Sequence, residues 1–170
     1  MKILETERLR LRTIEVADAP FYLKLLNTPE FIANIGDRKI RSLEAARESI
    51  RTGPLVMQAS LGHSIYLVEL KSSRAAIGMS GLIKRVTLDD VDLGYAFLPQ
   101  YFGQGYAREA ALAVLEHARR DIGLRRVVAI TSPDNEASNR VLERVGMQFE
   151  KLVRLTEDDA GTNLYAITLR

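Results

Sequence analysis

The run Arg126-Val127-Val128-Ala129-Ile130-Thr131 sets the first limit on what this chain can fold into. It is apolar and rich in β-branched residues, and helix-patterned sequence lies on both sides of it. A strand that is apolar on both faces has to be covered on both faces. It therefore belongs inside a sheet, beside a parallel neighbour, with helices packed over it. Upstream, Ala107, Ala111, Val114, Leu115, Ala118 and Ile122 fall on one face of a helix running from Gly105 to about Ile122, with Gly123 as its stop. Downstream, Asn135 can cap a helix whose Val141, Leu142 and Val145 turn inward and which ends at Gly146.

The flanking sequence reads differently. Arg8 to Ile14 alternates charged and apolar residues, the period of a strand with one covered face. Asp18 and Ser42 open two helices, ending near Asn27 and at Gly53-Pro54. Ser64–Leu70, Ala75–Val86 and Val91–Leu98 are strand-like and separated by short gaps, which predicts antiparallel hairpins. Gly78 and Gly81 inside the second of these mark a bulge or a close backbone approach. Met147–Leu155 and Asn163–Leu169 form a closing hairpin. The expectation is one α/β domain over residues 1–170, with about seven strands and four helices in a mixed sheet. That sheet is antiparallel at both ends and parallel around the central strand–helix–strand unit.

Composition removes several function classes. There is no Cys, hence no disulfide framework, thiolate metal site or cysteine nucleophile. Two His are too few to favour a His-based metal cluster, and no metal is expected. His117 falls off the apolar stripe of its helix and is expected at the surface. His63 has no evident carboxylate partner. The 24 basic and 22 acidic residues nearly cancel and form no long basic run, so no nucleic-acid partner is expected. No apolar stretch reaches the roughly 18 residues that would span a bilayer, and the N-terminal residues lack a signal-peptide core. A cytoplasmic setting without membrane attachment follows as an expectation.

The segment Leu98-Pro99-Gln100-Tyr101-Phe102-Gly103-Gln104-Gly105-Tyr106-Ala107-Arg108-Glu109-Ala110 carries the chemistry. It joins a strand to the start of the long helix. The first N–H groups of a helix have no internal partner and sit at the positive end of its dipole. Gly103 and Gly105 let a ligand approach the backbone closely, which makes a phosphate site that needs no lysine. Two glycines can also do no more than tighten a turn. A Walker loop is ruled out because no Lys follows the glycines, and a dinucleotide fingerprint because Arg108 stands where the third glycine belongs.

Gln100, Gly103 and Gly105 fit Gln/Arg-x-x-Gly-x-Gly/Ala, the coenzyme A pyrophosphate loop of the GNAT superfamily of N-acetyltransferases. The segment resembles the RimJ/RimL branch in particular, which typically reads L-x-P-x-x-W-G-x-G-Y-A-T-E-A. Phe102 replaces the Trp and Arg108 the Thr. Glu7-Arg8-Leu9-Arg10-Leu11-Arg12 is similar to that branch's E-R-L-x-L-R. The stretch from Asn135 through Ser138, Val141-Leu142-Glu143 and Gly146 is similar to its N-x-x-S-x-x-V-L-E-K-x-G-F, with Met147 for Phe.

The resemblance implies a GNAT-like fold in which the fourth and fifth strands splay apart. Here these are Val91–Leu98 and Arg126–Thr131, and a pantetheine arm would lie between them. It implies acetyl-CoA or another acyl-CoA as donor cosubstrate. The acceptor would be a primary amine, on a protein N-terminus or a small molecule, attacking directly in a ternary complex. Backbone groups of Phe97 and Leu98 would meet the pantetheine. Those of Tyr101, Phe102, Gly103, Gln104, Gly105, Tyr106 and Ala107 would wrap the pyrophosphate. Gln100 would brace the loop or simply be solvated. Asn135 would contact the coenzyme, cap its helix, or both. Ser138 would meet the departing thiolate or serve as a small packing residue. Asp92 is the base expected, by alternation on the face of Gly94 and Ala96, unless it is an ordinary strand-end carboxylate. Leu142 stands where other branches carry a catalytic Tyr, so the proton donor stays open. A non-catalytic acyl-CoA-binding module on the same fold is the alternative, and a homodimer is left open.

Overall fold

The computed structural model describes residues 1–170. Its elements are β1 (Lys2–Glu5), β2 (Leu9–Thr13), a 3-10 turn (Val16–Asp18), α1 (Ala19–Leu26), α2 (Pro29–Asn34), α3 (Leu43–Thr52) and α4 (Pro54–Leu61). Then come β3 (Ile65–Leu70), β4 (Ala76–Ile83), β5 (Asp92–Phe97), a second 3-10 turn (Pro99–Tyr101) and α5 (Tyr106–His117), which runs on as a π-helical turn (Ala118–Ile122). The chain ends with β6 (Arg126–Thr131), α6 (Glu136–Arg144), β7 (Gln148–Val153) and β8 (Thr162–Thr168). All eight strands form one sheet in the order β1-β2-β3-β4-β5-β6-β8-β7. Every pairing is antiparallel except β5–β6.

The architecture is the expected mixed α/β sheet, with one strand and two helices more than the pattern predicts. The added helices are short. Thr28 caps α2 by accepting the Phe31 N–H (3.2 Å), with Pro29 in its first turn. Gly53-Pro54 ends α3 as expected, yet the same proline starts α4, because proline lacks only an N–H that a first helical residue does not use. β1 has four residues and an irregular register against β2, too little for an alternation pattern to register.

Two buried clusters cover the two faces of the sheet. On one face Tyr66, Val68, Leu82, Leu93 and Phe97 pack with Ala110, Ala111 and Val114 of α5 and Leu142 of α6. On the other, Met79 and Ala96 pack with Leu25 of α1, Phe31 of α2 and Ala46 and Ile50 of α3. Both readings of the β4 glycines hold. The β3–β4 register jumps from Val68↔Gly78 to Glu69↔Ala76, a bulge that leaves Ile77 extra. A Cβ on Gly81 would lie 2.2 Å from the Ser64 carbonyl oxygen.

His117 is not a surface residue. Its side chain is only 9% exposed. Nε2 meets the buried Tyr66 hydroxyl at 3.2 Å, and Nδ1 meets Asp121 at 2.7 Å. Its position off the stripe faces Tyr66 of β3 instead of solvent. His63 is also buried, with Nδ1 against the Leu82 carbonyl at 2.9 Å.

Candidate functional site

β5 and β6 run parallel but pair at one position, Asp92↔Val128, where the Val128 N–H donates to the Val91 carbonyl (3.0 Å). Beyond it the two strands part. A cavity of about 1220 Å³ occupies this opening and continues over the face of the sheet carrying α1 to α4. Gly94, Tyr95, Ala96 and Phe97 of β5, Ala129, Ile130 and Thr131 of β6, and Asn135 and Ser138 at the start of α6 all line it.

The glycine loop forms one mouth of that cavity. The Tyr101 N–H donates to the Leu98 carbonyl (3.0 Å) and the Phe102 N–H to the Pro99 carbonyl (3.1 Å). These two N–H groups are thus used inside the 3-10 turn. From there on the pattern changes. No protein acceptor takes the N–H of Gly103, Gln104, Gly105, Tyr106, Ala107 or Arg108. The bonding resumes with the Glu109 N–H, which donates to the Gly105 carbonyl (3.0 Å) and closes the first turn of α5. Gly103 (φ +74°) and Gly105 (φ +83°) hold the left-handed backbone that this run requires. Of the expected backbone donors, Tyr101 and Phe102 are thus engaged within the protein, and the run of free N–H groups extends to Arg108.

Leu98 also drops out of the donor set. Its N–H donates to the Ile77 carbonyl (2.9 Å) and its carbonyl accepts from Tyr101, so both groups are engaged. Strand residues direct their backbone groups to alternate edges, which leaves Phe97 facing β6. The Gln100 side chain is exposed and makes no hydrogen bond; the brace runs the other way, from Gln104 Nε2 to the Gln100 carbonyl (3.2 Å).

The Glu7–Arg12 motif supplies a second brace. Arg8 donates from Nε to Glu109 Oε1 (2.7 Å), from its backbone N–H to Glu109 Oε2 (3.0 Å) and from its guanidinium to the Gln104 carbonyl (3.0 Å). Its guanidinium lies 4.3 Å from the Tyr106 ring centroid. A carboxylate in the first turn of α5 would otherwise repel a phosphate. Arg8 and the Thr6 hydroxyl neutralise it and hold it aside, and hydrogen bonds from these two outweigh burial to keep its pKa below the usual range. Arg108, Arg140 and Arg144 line the cavity and form no ion pair within the protein.

Asp92 is no ordinary strand-end carboxylate. It is 1% exposed, lines the cavity, and accepts from Arg85 Nε at Oδ2 (2.6 Å). Oδ1 is buried without a partner. Burial raises its pKa above the ordinary value, against the opposing charge of Arg85. Alternation places it with Gly94 and Ala96, as expected.

Asn135 caps α6, accepting the Ser138 N–H at Oδ1 (3.3 Å). The Ser138 hydroxyl lies 2.6 Å from the Tyr95 hydroxyl, which also donates to the Ser138 carbonyl (3.3 Å). Burial pushes Tyr95 up to about 12. Tyr95 is the residue that sequence reasoning missed: 43 positions separate the pair, and only the strand face shared with Leu93 and Phe97 hinted at where it points. Leu142, 1% exposed, is core. Tyr165 is buried edge-to-face against Phe149, a structural aromatic.

A parted parallel strand pair, a glycine loop with a run of free N–H groups and a helix behind it define an acyltransferase of the GNAT kind. Residues 8–148 match the acetyltransferase (GNAT) domain family, and the chain belongs to that family. It is 31% identical to the uncharacterized N-acetyltransferase YoaA of Bacillus subtilis (strain 168), over 97% of this chain and 96% of that protein. Among solved structures it is similar to an acetyltransferase from Agrobacterium tumefaciens str. C58, with TM-score 0.82, 27% identity, and 96% and 92% of the two chains covered. It shares its fold with RimL, a ribosomal L7/L12 alpha-N-protein acetyltransferase in complex with coenzyme A, with TM-score 0.85, 21% identity, and 99% and 98% covered. No helix is long and apolar enough to cross a membrane.

Proposed function

We propose that this protein transfers an acetyl group from acetyl-CoA to a primary amine in a ternary complex. The observation that carries the reading is the run of unpaired N–H groups from Gly103 to Arg108 at the mouth of the cavity. Backbone donors at a helix N-terminus suit pyrophosphate oxygens, and the unpaired arginines Arg108, Arg140 and Arg144 add positive charge. The free edges of β5 and β6, with Phe97 foremost, suit the amides of a pantetheine arm. That arm would bring the thioester toward Ser138 and Tyr95.

In the reaction the amine nitrogen bonds to the thioester carbonyl carbon and the carbon–sulfur bond breaks. The nitrogen must shed protons and the departing sulfur can take one. Asp92 is the base proposed to accept the first, directly or through water; it lines the cavity and its buried Oδ1 has no partner within the protein. The Ser138 hydroxyl, held by Tyr95, is the donor proposed for the sulfur in place of the tyrosine that Leu142 excludes. A chain without cysteine suits a reducing cytoplasm.

The test is thiol release from acetyl-CoA against a panel of amines, with coenzyme A affinity measured alongside. Amine-dependent thiol release is expected. Tight coenzyme A binding with no turnover on any amine would instead make the protein a binding module.

A further inference from the structure

The wall of the cavity built by α1 to α4 is mostly hydrocarbon. Tyr22, Leu26, Phe31, Ile40, Met57 and Met79 contribute to it. The Tyr22 hydroxyl is already engaged with Ser49 Oγ (2.9 Å). Glu30, in the first turn of α2, lines the same space. Its Oε2 is buried and accepts no hydrogen bond, and the side chain forms no ion pair. A buried carboxylate oxygen left unpaired is unfavourable, and a water or a bound cation relieves it. Asp92 is the other acidic residue lining the cavity, and its Oδ1 is buried and unpaired too. The cationic residues of the cavity do not answer Glu30. Arg85 is committed to Asp92, Arg38 is exposed to solvent, and Arg108, Arg140 and Arg144, on α5 and α6, form no ion pair with Glu30.

Two buried, unpaired carboxylate oxygens thus stand on different elements of one cavity, with apolar side chains around them. We infer that the acceptor is a diamine-like molecule: a primary amine that reacts beside Asp92, an apolar linker along the hydrocarbon wall, and a second, protonated amine held by Glu30. This rests on the transferase reading above. A peptide N-terminus fits less well. It brings one cation, and its backbone amides would meet a wall with few hydrogen-bonding groups to receive them.

The experiment compares linear diamines with monoamines of matching chain length, using acetyl-CoA and the full chain. Wild type is expected to prefer the diamine by about tenfold or more in kcat/KM, the ratio that one hydrogen bond to a charged group supplies. In Glu30→Gln that ratio should fall to about one. A monoamine used as well as its diamine, or a preference that survives Glu30→Gln, overturns the inference. A binding arm keeps it separable from the transferase reading. Diamine and monoamine are compared by thermal shift on coenzyme A-saturated protein. Diamine-selective binding without turnover would sink the transferase reading and keep the role of Glu30, whereas turnover indifferent to the second charge would do the reverse.

Discussion

Gly105 and Gly123 stand at the two ends of the long helical segment with nearly the same backbone, φ +83° and φ +81°. A Cβ on Gly123 would meet nothing within 4 Å, and one on Gly105 only the tip of Arg8 at 3.4 Å. Alanine at either site therefore adds the same conformational strain and little else, about 1–2 kcal/mol for an L-residue in the left-handed region. Gly123→Ala, fixed in that conformation by the helix end, should lose the corresponding stability, roughly 2–4 °C in Tm for each kcal/mol in a chain of this size, and Gly105→Ala should lose less. Coenzyme A affinity should separate them. The Gly103–Gly105 loop is exposed, so Gly105→Ala can relax toward negative φ when free and must be forced back when the ligand binds. The full strain then appears as a weaker complex, by about 5- to 30-fold. Gly123→Ala has no such coupling and should bind coenzyme A within about twofold of wild type. Calorimetric titration of both variants, with Tm as the control for folding, measures the difference. A folded Gly105→Ala variant with its Tm unshifted and its coenzyme A affinity equal to wild type would falsify the assignment of this loop to the pyrophosphate.

Other outcomes follow from the same geometry. Ser138→Ala should lower kcat by about a hundredfold, the low end for a lost proton donor. Tyr95→Phe should lower it less; an unchanged kcat in both, under conditions where chemistry limits the rate, would remove the pair from the reaction. Burial raises the Asp92 pKa, so its contribution to stability is full below the unfolded value and is lost as pH rises through the folded one. The Tm of Asp92→Asn should therefore gain on wild type as pH climbs out of the acidic range while its activity collapses; a gap that is flat with pH contradicts this. Arg8→Ala should weaken coenzyme A binding by about two- to fivefold, in keeping with an ion pair that is partly exposed. Unchanged coenzyme A affinity in that variant would show that the loop holds itself. Gly81→Ala should cost about 1–3 kcal/mol or more in denaturant titrations, because the Ser64 and Ile65 backbone atoms in its path cannot step aside. Gly94→Ala, which meets only the end of the Ile83 side chain, should cost less.

What was legible in the sequence was mainly local. The central apolar strand, the glycine loop, the caps at Ser42 and Asn135 and the face of Asp92 each rest on residues within a turn or two of one another. The features that escaped are short or distant. α2 and α4 are too brief for a periodic stripe, and Pro54 reads equally well as a stop and a start. The engagement of Leu98 with Ile77 continues the β4–β5 ladder one step past Gly78↔Phe97, a register that alternation alone does not give. Tyr95 with Ser138, and Arg8 with Glu109, join segments that only the finished sheet brings together. For that reason the glycine-loop end of the candidate site was readable in outline, while the Tyr95–Ser138 pair was not.

The parting of β5 and β6 has a consequence for how the protein survives its own synthesis. A sheet usually keeps unpaired edges at its margins, where charges or bulges guard them. This one carries two more in its middle, beyond Asp92↔Val128. Until the two halves of the sheet close around α5, those edges offer a neighbouring chain the same hydrogen-bonding rail that a bound ligand would use. Coenzyme A in the refolding buffer is therefore expected to act as a folding aid, raising the yield of monodisperse protein by occupying the rail before another chain does.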